Sequence, residues 1–229
     1  MILKKINFIF LTILFLQGFA QEVHVKYIYV KSPTYKVYEN LFIRDNNVLS
    51  IQDSISLKTQ KIVSNDYYAS KLNYDNNIKD ILFTANFRNV DYLVFDQVSN
   101  PVWIIDKNSS KKILDYKCIK ATANFRGSNI TAYFTEELPY SAGPYKFYGL
   151  PGLILEIKED NKNYNFWEAK EIILKVNPKI NHLPQLMEYP KKTMKEFIEM
   201  KEEAKNKDSE NIKIQKERLG IEKKFEWEL

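Results

Sequence analysis

Apolar and polar residues alternate with period two along most of this chain, the signature of strands that bury one face. After an apolar leader, residues 23–30 place Val23, Val25, Tyr27 and Tyr29 on one side and predict an opening strand. Residues 38–44 and 48–51 flank Asp45-Asn46-Asn47 and predict a hairpin, because Asn and Asp tolerate left-handed backbone angles. Residues 53–77 are rich in Ser, Asn, Asp and Lys and predict a polar loop or an excursion without regular structure. Strand patterns return at 78–83, 91–96 and 102–105. A second hairpin is expected over 113–135: one strand from Ile113 to Phe125, a turn at Gly127-Ser128-Asn129, and a strand from Ile130 to Thr135. Two further strands are expected at 153–157 and 166–176, joined by a polar turn at 159–163.

The period changes near the C-terminus. Met194, Phe197, Ile198 and Lys201 recur at helical spacing, and Thr193 precedes Glu196 as a capping box. A helix broken near Asp208-Ser209 is expected, with a second apolar face at Ile212, Ile214 and Leu219. The pattern as a whole predicts a mainly β protein: a curved antiparallel sheet or half-barrel of about eight to ten strands with a C-terminal helical segment. It divides into a leader (1–20), a β-rich domain (21–190) and a charged helical tail (191–229).

The leader changes the compartment. Lys4 and Lys5, the apolar run 6–16 and Gly18-Phe19-Ala20 have the form of a secretory signal cleaved after Ala20, too short in its apolar core for an anchor. No cysteine stands at that junction to carry a lipid. The leader holds two lysines and no acid, so the formal charge of +5 falls to +3 beyond it. Such a mild, interspersed charge does not argue for nucleic acid. No later segment has the length and apolarity of a membrane span.

Glycine is scarce, six in 229 residues, yet Gly127, Gly143, Gly149 and Gly152 crowd one region with Pro139, Pro144 and Pro151. The centre is Gly149-Leu150-Pro151-Gly152-Leu153-Ile154, a segment built to turn sharply before a strand. With Trp103-Ile104-Ile105, then Ile113, Tyr116, Cys118, Lys120 and Ala121, then 131–135, Gly143-Pro144 and Phe147, it resembles the GLPGLI family of secreted or periplasmic bacterial proteins. The resemblance runs from about Tyr92 to Ile173. It implies export, and it supplies no catalytic residue and no cofactor.

Candidate chemistry is thin. Cys118 is the only cysteine, so no intramolecular disulfide can form. It reads first as a small core residue. A nucleophilic or redox role would need His24 or His182 as partner, and a soft metal site with Met or His is not foretold by spacing. No Cys-x-x-Cys, His-x-x-x-His or acidic calcium loop occurs. Glu136-Glu137 are adjacent on a strand and point apart, and Ser141 lacks the glycine at 139 of a nucleophile elbow. Backbone donors for an anion nest are depleted by the prolines, so a structural crossover loop is the better reading.

Aromatic residues are abundant, with Trp103, Tyr133, Tyr145, Phe147 and Tyr148 near Leu150 and Cys118 in the middle third. Together these seven are the candidate binding residues. They suggest an aromatic-lined concave face that binds an apolar ligand, a peptide or an envelope partner without catalysis. Two alternatives stand beside it: an enzyme using Cys118, and a structural partner of an outer-membrane protein.

Overall fold

The computed structural model describes residues 22–44, 46–55, 62–71, 78–174, 188–208 and 220–228. Their β-branched and aromatic alternation forms twelve strands in one open sheet. They are β1 (Val23–Ser32), β2 (Tyr35–Arg44), β3 (Asn47–Ile55), β4 (Ile62–Lys71), β5 (Ile78–Phe87), β6 (Val90–Ser99), β7 (Ile104–Ile113), β8 (Tyr116–Phe125), β9 (Ser128–Thr135), β10 (Leu153–Glu159), β11 (Phe166–Leu174) and β12 (Lys191–Thr193). Their order across the sheet is β12-β6-β5-β4-β3-β2-β1-β11-β10-β9-β8-β7. Every pairing is antiparallel except that of β12 with β6. Among the described residues there is one α-helix, α1 (Met194–Asp208), and no helix long and apolar enough to cross a membrane.

The mainly β architecture with a helix near the C-terminus agrees with the pattern, while several boundaries differ. Residues 53–77 are not a loop throughout: β3 continues to Ile55, and β4 lies inside the sheet, in register with β3 and then with Phe83, Leu82 and Ile81 of β5. Polar letters hid a strand whose pairing comes from two long neighbours, a tertiary override of local composition. Residues 56–61 and 72–77 lie outside the described residues.

The strand expected from Ile113 to Phe125 is two. Leu114 turns the chain at φ 53° with Asp115, and Ile113 pairs across the turn with Tyr116. Apolar letters at 113 and 114 masked this turn. The strand expected at 102–105 starts at Ile104 and runs on through polar residues, with a bulge where Asp106 and Ser110 are consecutive partners of β8.

The hairpin of β8 and β9 forms as expected, closing one residue earlier, at Arg126-Gly127 (φ 44° and 85°), where positive φ at both positions suits the twist of the strands. In the tail, Lys191–Thr193 forms the short strand β12 just ahead of the expected helix, and 220–228 ends in a 3-10 turn at 226–228. The expected apolar face at 212–219, the leader and residues 175–187 lie outside the described residues. The capping box is present: Thr193 Oγ1 accepts from Glu196 N–H (3.3 Å), and Glu196 Oε2 accepts from Thr193 N–H (2.7 Å). Met194 and Phe197 seat α1 on β6, with Phe197 against the Tyr92 ring.

The sheet curls strongly. β6 and β7 occupy the second and the last places in the strand order, yet only residues 100–103 connect them. The ends of the sheet therefore come together without hydrogen bonding into a barrel.

Candidate functional site

The inner face of this curl is filled by the chain itself. Residues 136–152, between β9 and β10, turn inward instead of spanning the rim, and Leu138, Ala142, Phe147, Tyr148 and Leu150 are buried. Phe147 packs on Phe125 and Trp167, with centroids 4.9 and 5.4 Å away. Tyr145 meets Tyr68 and Trp167, and Trp167 stacks on Tyr29 at 3.9 Å. Tyr148 donates its hydroxyl to Val98 O (2.6 Å), and Trp103 Nε1 donates to Tyr148 O (2.8 Å).

Four of the seven residues expected to line a concave face therefore pack inside it. Tyr145, Phe147 and Tyr148 come together with Trp103 at their edge, and Leu150 is buried with them in one core. Tyr133, half-buried against the same core, lies under the ammonium of Lys111 at 4.0 Å, which pairs with Glu156 (2.6 Å). Cys118 is buried in the core, where desolvation pushes its thiol up to about 11, so the thiolate needed for nucleophilic chemistry is disfavoured. His24 is hydrogen-bonded to Asn40 (2.9 Å) and stacked on Phe42, and His182 lies outside the described residues. Among the described residues, no group of three or more His, Cys, Asp or Glu could hold a metal ion.

What the sequence reading missed is a set of buried charges inside the aromatic lining. Glu39 takes an inward position in register with Tyr27 and Gln52. It accepts from Ser50 Oγ (2.5 Å), Gln52 Nε2 (2.8 Å), Trp167 Nε1 (2.9 Å) and the Tyr145 N–H. Burial raises its pKa, and these donors offset only part of that.

The Tyr145 hydroxyl reaches the other way, to Glu222 Oε2 (2.5 Å). Glu222 also accepts from Arg126 Nη1 (2.5 Å) and from Lys146 Nζ (2.9 Å), whose side chain is 0% exposed. Both cations meet Asp96: Arg126 with two nitrogens at 2.8 and 2.9 Å, and Lys146 at 2.7 Å. Burial disfavours the Asp96 carboxylate, but Arg126 and Lys146 outweigh it and hold the group below its ordinary range. Arg126 completes its fork on Gln97 O and Glu226.

Two sequence signals point to this set: a glutamate where Val37, Leu41 and Ile43 keep the inward register, and one lysine inside Gly143-Pro144-Tyr145-Lys146-Phe147-Tyr148-Gly149.

Outside the curl, β7 is one edge of the sheet and the short β12 the other, and among the described residues no strand pairs with the outer side of β7. Val102 is 85% and Ile104 70% exposed, and Ile105 is also solvent-facing. Residues 104–125 carry five lysines against two aspartates.

The sequence profile of a family described as a protein of unknown function (Porph_ging) matches residues 125–156. That window runs from the end of β8 into β10 and contains Arg126, Tyr145 and Lys146. No curated protein sequence matches the chain. Two solved structures, of PNGF-II in the P21 and C2 space groups, are similar with TM-scores of 0.55 at 16% and 14% identity. The likeness covers 79% of this chain and 33% and 32% of theirs, so this chain spans about a third of the length of those proteins. At that identity the likeness is one of fold alone.

Proposed function

We propose that this is an exported, non-catalytic docking protein of the periplasm or cell surface, and that its partner is an extended acidic segment of another envelope protein pairing with β7. The carrying observation is the contrast between a self-filled inner face and an edge strand with no outer partner among the described residues, whose Ile104 and the preceding Val102 are exposed. An edge strand offers a row of backbone donors and acceptors, and adding a strand satisfies them. The lysine excess of β7 and β8 favours an acidic incoming strand, and the bulge at 107–109 confines pairing to the apolar end.

Export rests on the leader and on the GLPGLI resemblance. The packing of Tyr145, Phe147, Tyr148 and Leu150 in or against the core weighs against the apolar-ligand reading. The burial of Cys118 weighs against the catalytic alternative.

The test is a photo-crosslinking residue at Ile104, with Tyr38 on β2 as an exposed control, in cells whose envelope is intact. We expect one discrete adduct from position 104, lost when Lys112, Lys117 and Lys120 are changed to Glu. Equal labelling from both positions, or none, would sink the proposal. A small apolar mass carried by the purified protein in native mass spectrometry would restore the container reading.

A further inference from the structure

The C-terminal residues 220–228 sit on the molecule as a ligand sits in a site. They form no strand with the sheet. Their backbone is anchored on Arg126 O, which takes the N–H groups of Lys223 and Lys224 (both 2.9 Å). The rest of the grip is on side-chain ends. Glu222 enters a pit where Arg126, Lys146 and Tyr145 all donate to its carboxylate. Phe225 is buried with its ring 4.9 Å from the Arg126 guanidinium, and Glu226 takes the outer side of the same fork.

Without this segment the pit holds two cations, Arg126 and Lys146, against one carboxylate, Asp96. Two cations against one carboxylate in a concave site concentrate positive potential there, so the pit calls for an anion. The planar fork of Arg126, already set by Asp96 at 2.8 and 2.9 Å, is preorganised to receive a carboxylate.

We propose that this pit is a recognition site for an extended peptide carrying a carboxylate and, three residues on, an aromatic ring, and that residues 220–228 are its resident ligand in cis. The site is separate from the β7 edge and stands whether or not that edge binds a partner.

The experiment keeps the full chain. A protease recognition sequence is placed within residues 209–219, the protein is folded and then cut, and a fluorescent synthetic peptide of residues 220–228 is added. We expect the cut segment to exchange saturably for the labelled peptide while the body keeps its far-ultraviolet β spectrum. A Glu222→Gln peptide should bind at least about tenfold more weakly, as befits the loss of hydrogen bonds to a charged group. A Lys224→Ala peptide, altered at an exposed position, should bind within about twofold of the parent. Three results would overturn the proposal: unfolding of the body on cleavage, a cut segment that never exchanges or leaves without replacement, and binding indifferent to Glu222→Gln.

Discussion

Asp96 and Arg126 form a two-pronged ion pair although β6 and the β8–β9 turn lie near opposite ends of the strand order. The pair ties the curl of the sheet together on the inside, and it is buried on both sides. Breaking such a pair by removing one partner leaves a charge stranded in a medium that solvates it poorly. Asp96→Asn should therefore cost about 3–5 kcal/mol in urea unfolding. Lys146→Met should cost less in the Asp96→Asn background than in the wild type, by about 1 kcal/mol or more, because the two side chains are in direct contact and the first change has already removed their ion pair. Additive losses would show that Lys146 and Asp96 are not coupled.

Glu39 gives a pH dependence of opposite sign to that of an ordinary salt-bridged acid. Its folded pKa lies above the unfolded value of 4.5. The native state thus holds the proton more tightly, and the stability gained from it is complete below 4.5 and is lost as pH rises to the folded value. Asp96, lowered from 3.8, contributes above that value and loses its contribution as pH falls toward its folded pKa. Relative to Glu39→Gln, the wild type should lose unfolding free energy as pH rises from 4.5 toward the raised folded pKa, as read from denaturant midpoints at each pH. A flat difference would mean that the four donors hold Glu39 ionised.

The sequence showed the β class, the β8–β9 hairpin and the capped helix because each is written in local periodicity or turn chemistry. A turn at Gly127 and the pairing of Thr193 with Glu196 are readable from neighbours a few residues away, though not that the turn closes at Arg126. β4 was not readable, since its polar letters become a strand only between β3 and β5. The aromatic residues read from the sequence as one group are only partly brought together, and Tyr145 and Phe147 fill the inner face rather than line it. Which way a loop folds depends on the whole sheet around it. The pairing of Asp96, Arg126, Lys146 and Glu222 spans the sheet, two loops and the tail, and no spacing rule connects such distant positions.

Lys79 is buried on β5 with its ammonium nitrogen 5.0 Å from the Tyr148 ring centre. Desolvation lowers its pKa from 10.5 to about 8. Between those values the unfolded chain holds more protons than the native one, so stability rises with pH across that window. Lys79→Met should therefore stabilise the protein at pH 7, on the order of 3 kcal/mol, with the advantage shrinking above pH 8 and gone near 10.5. Thermal or urea unfolding at pH 7 and pH 10.5 checks both halves, and a destabilised variant at neutral pH would show that the amine has a charge partner.

Cys118 offers a direct check on catalysis. A buried thiol with its pKa near 11 should resist a thiol reagent at pH 8 in the folded protein and react at once in denaturant. Fast stoichiometric labelling of the native chain would return the nucleophile reading to contention.

The glycines of the Gly149–Ile154 segment separate two reasons for having no side chain. Gly149 has φ 93°, and a Cβ there would lie 1.7 Å from Asn100 Oδ1, so Gly149→Ala meets both backbone strain and a collision. Gly152 has no such angle, but its Cβ would lie 2.1 Å from Thr135 O, a backbone atom fixed by the pairing of β9 with β10. The Asn100 amide can swing aside and the Thr135 carbonyl cannot, so Gly152→Ala should be the worse of the two. We expect about 2–4 kcal/mol for Gly149→Ala, more for Gly152→Ala, and under about 0.5 kcal/mol for Gly220→Ala, where nothing lies within 4 Å. Urea unfolding of the three variants gives the order, and a Gly149→Ala protein as stable as the Gly220→Ala control would mean that the turn refolds around a methyl group without cost.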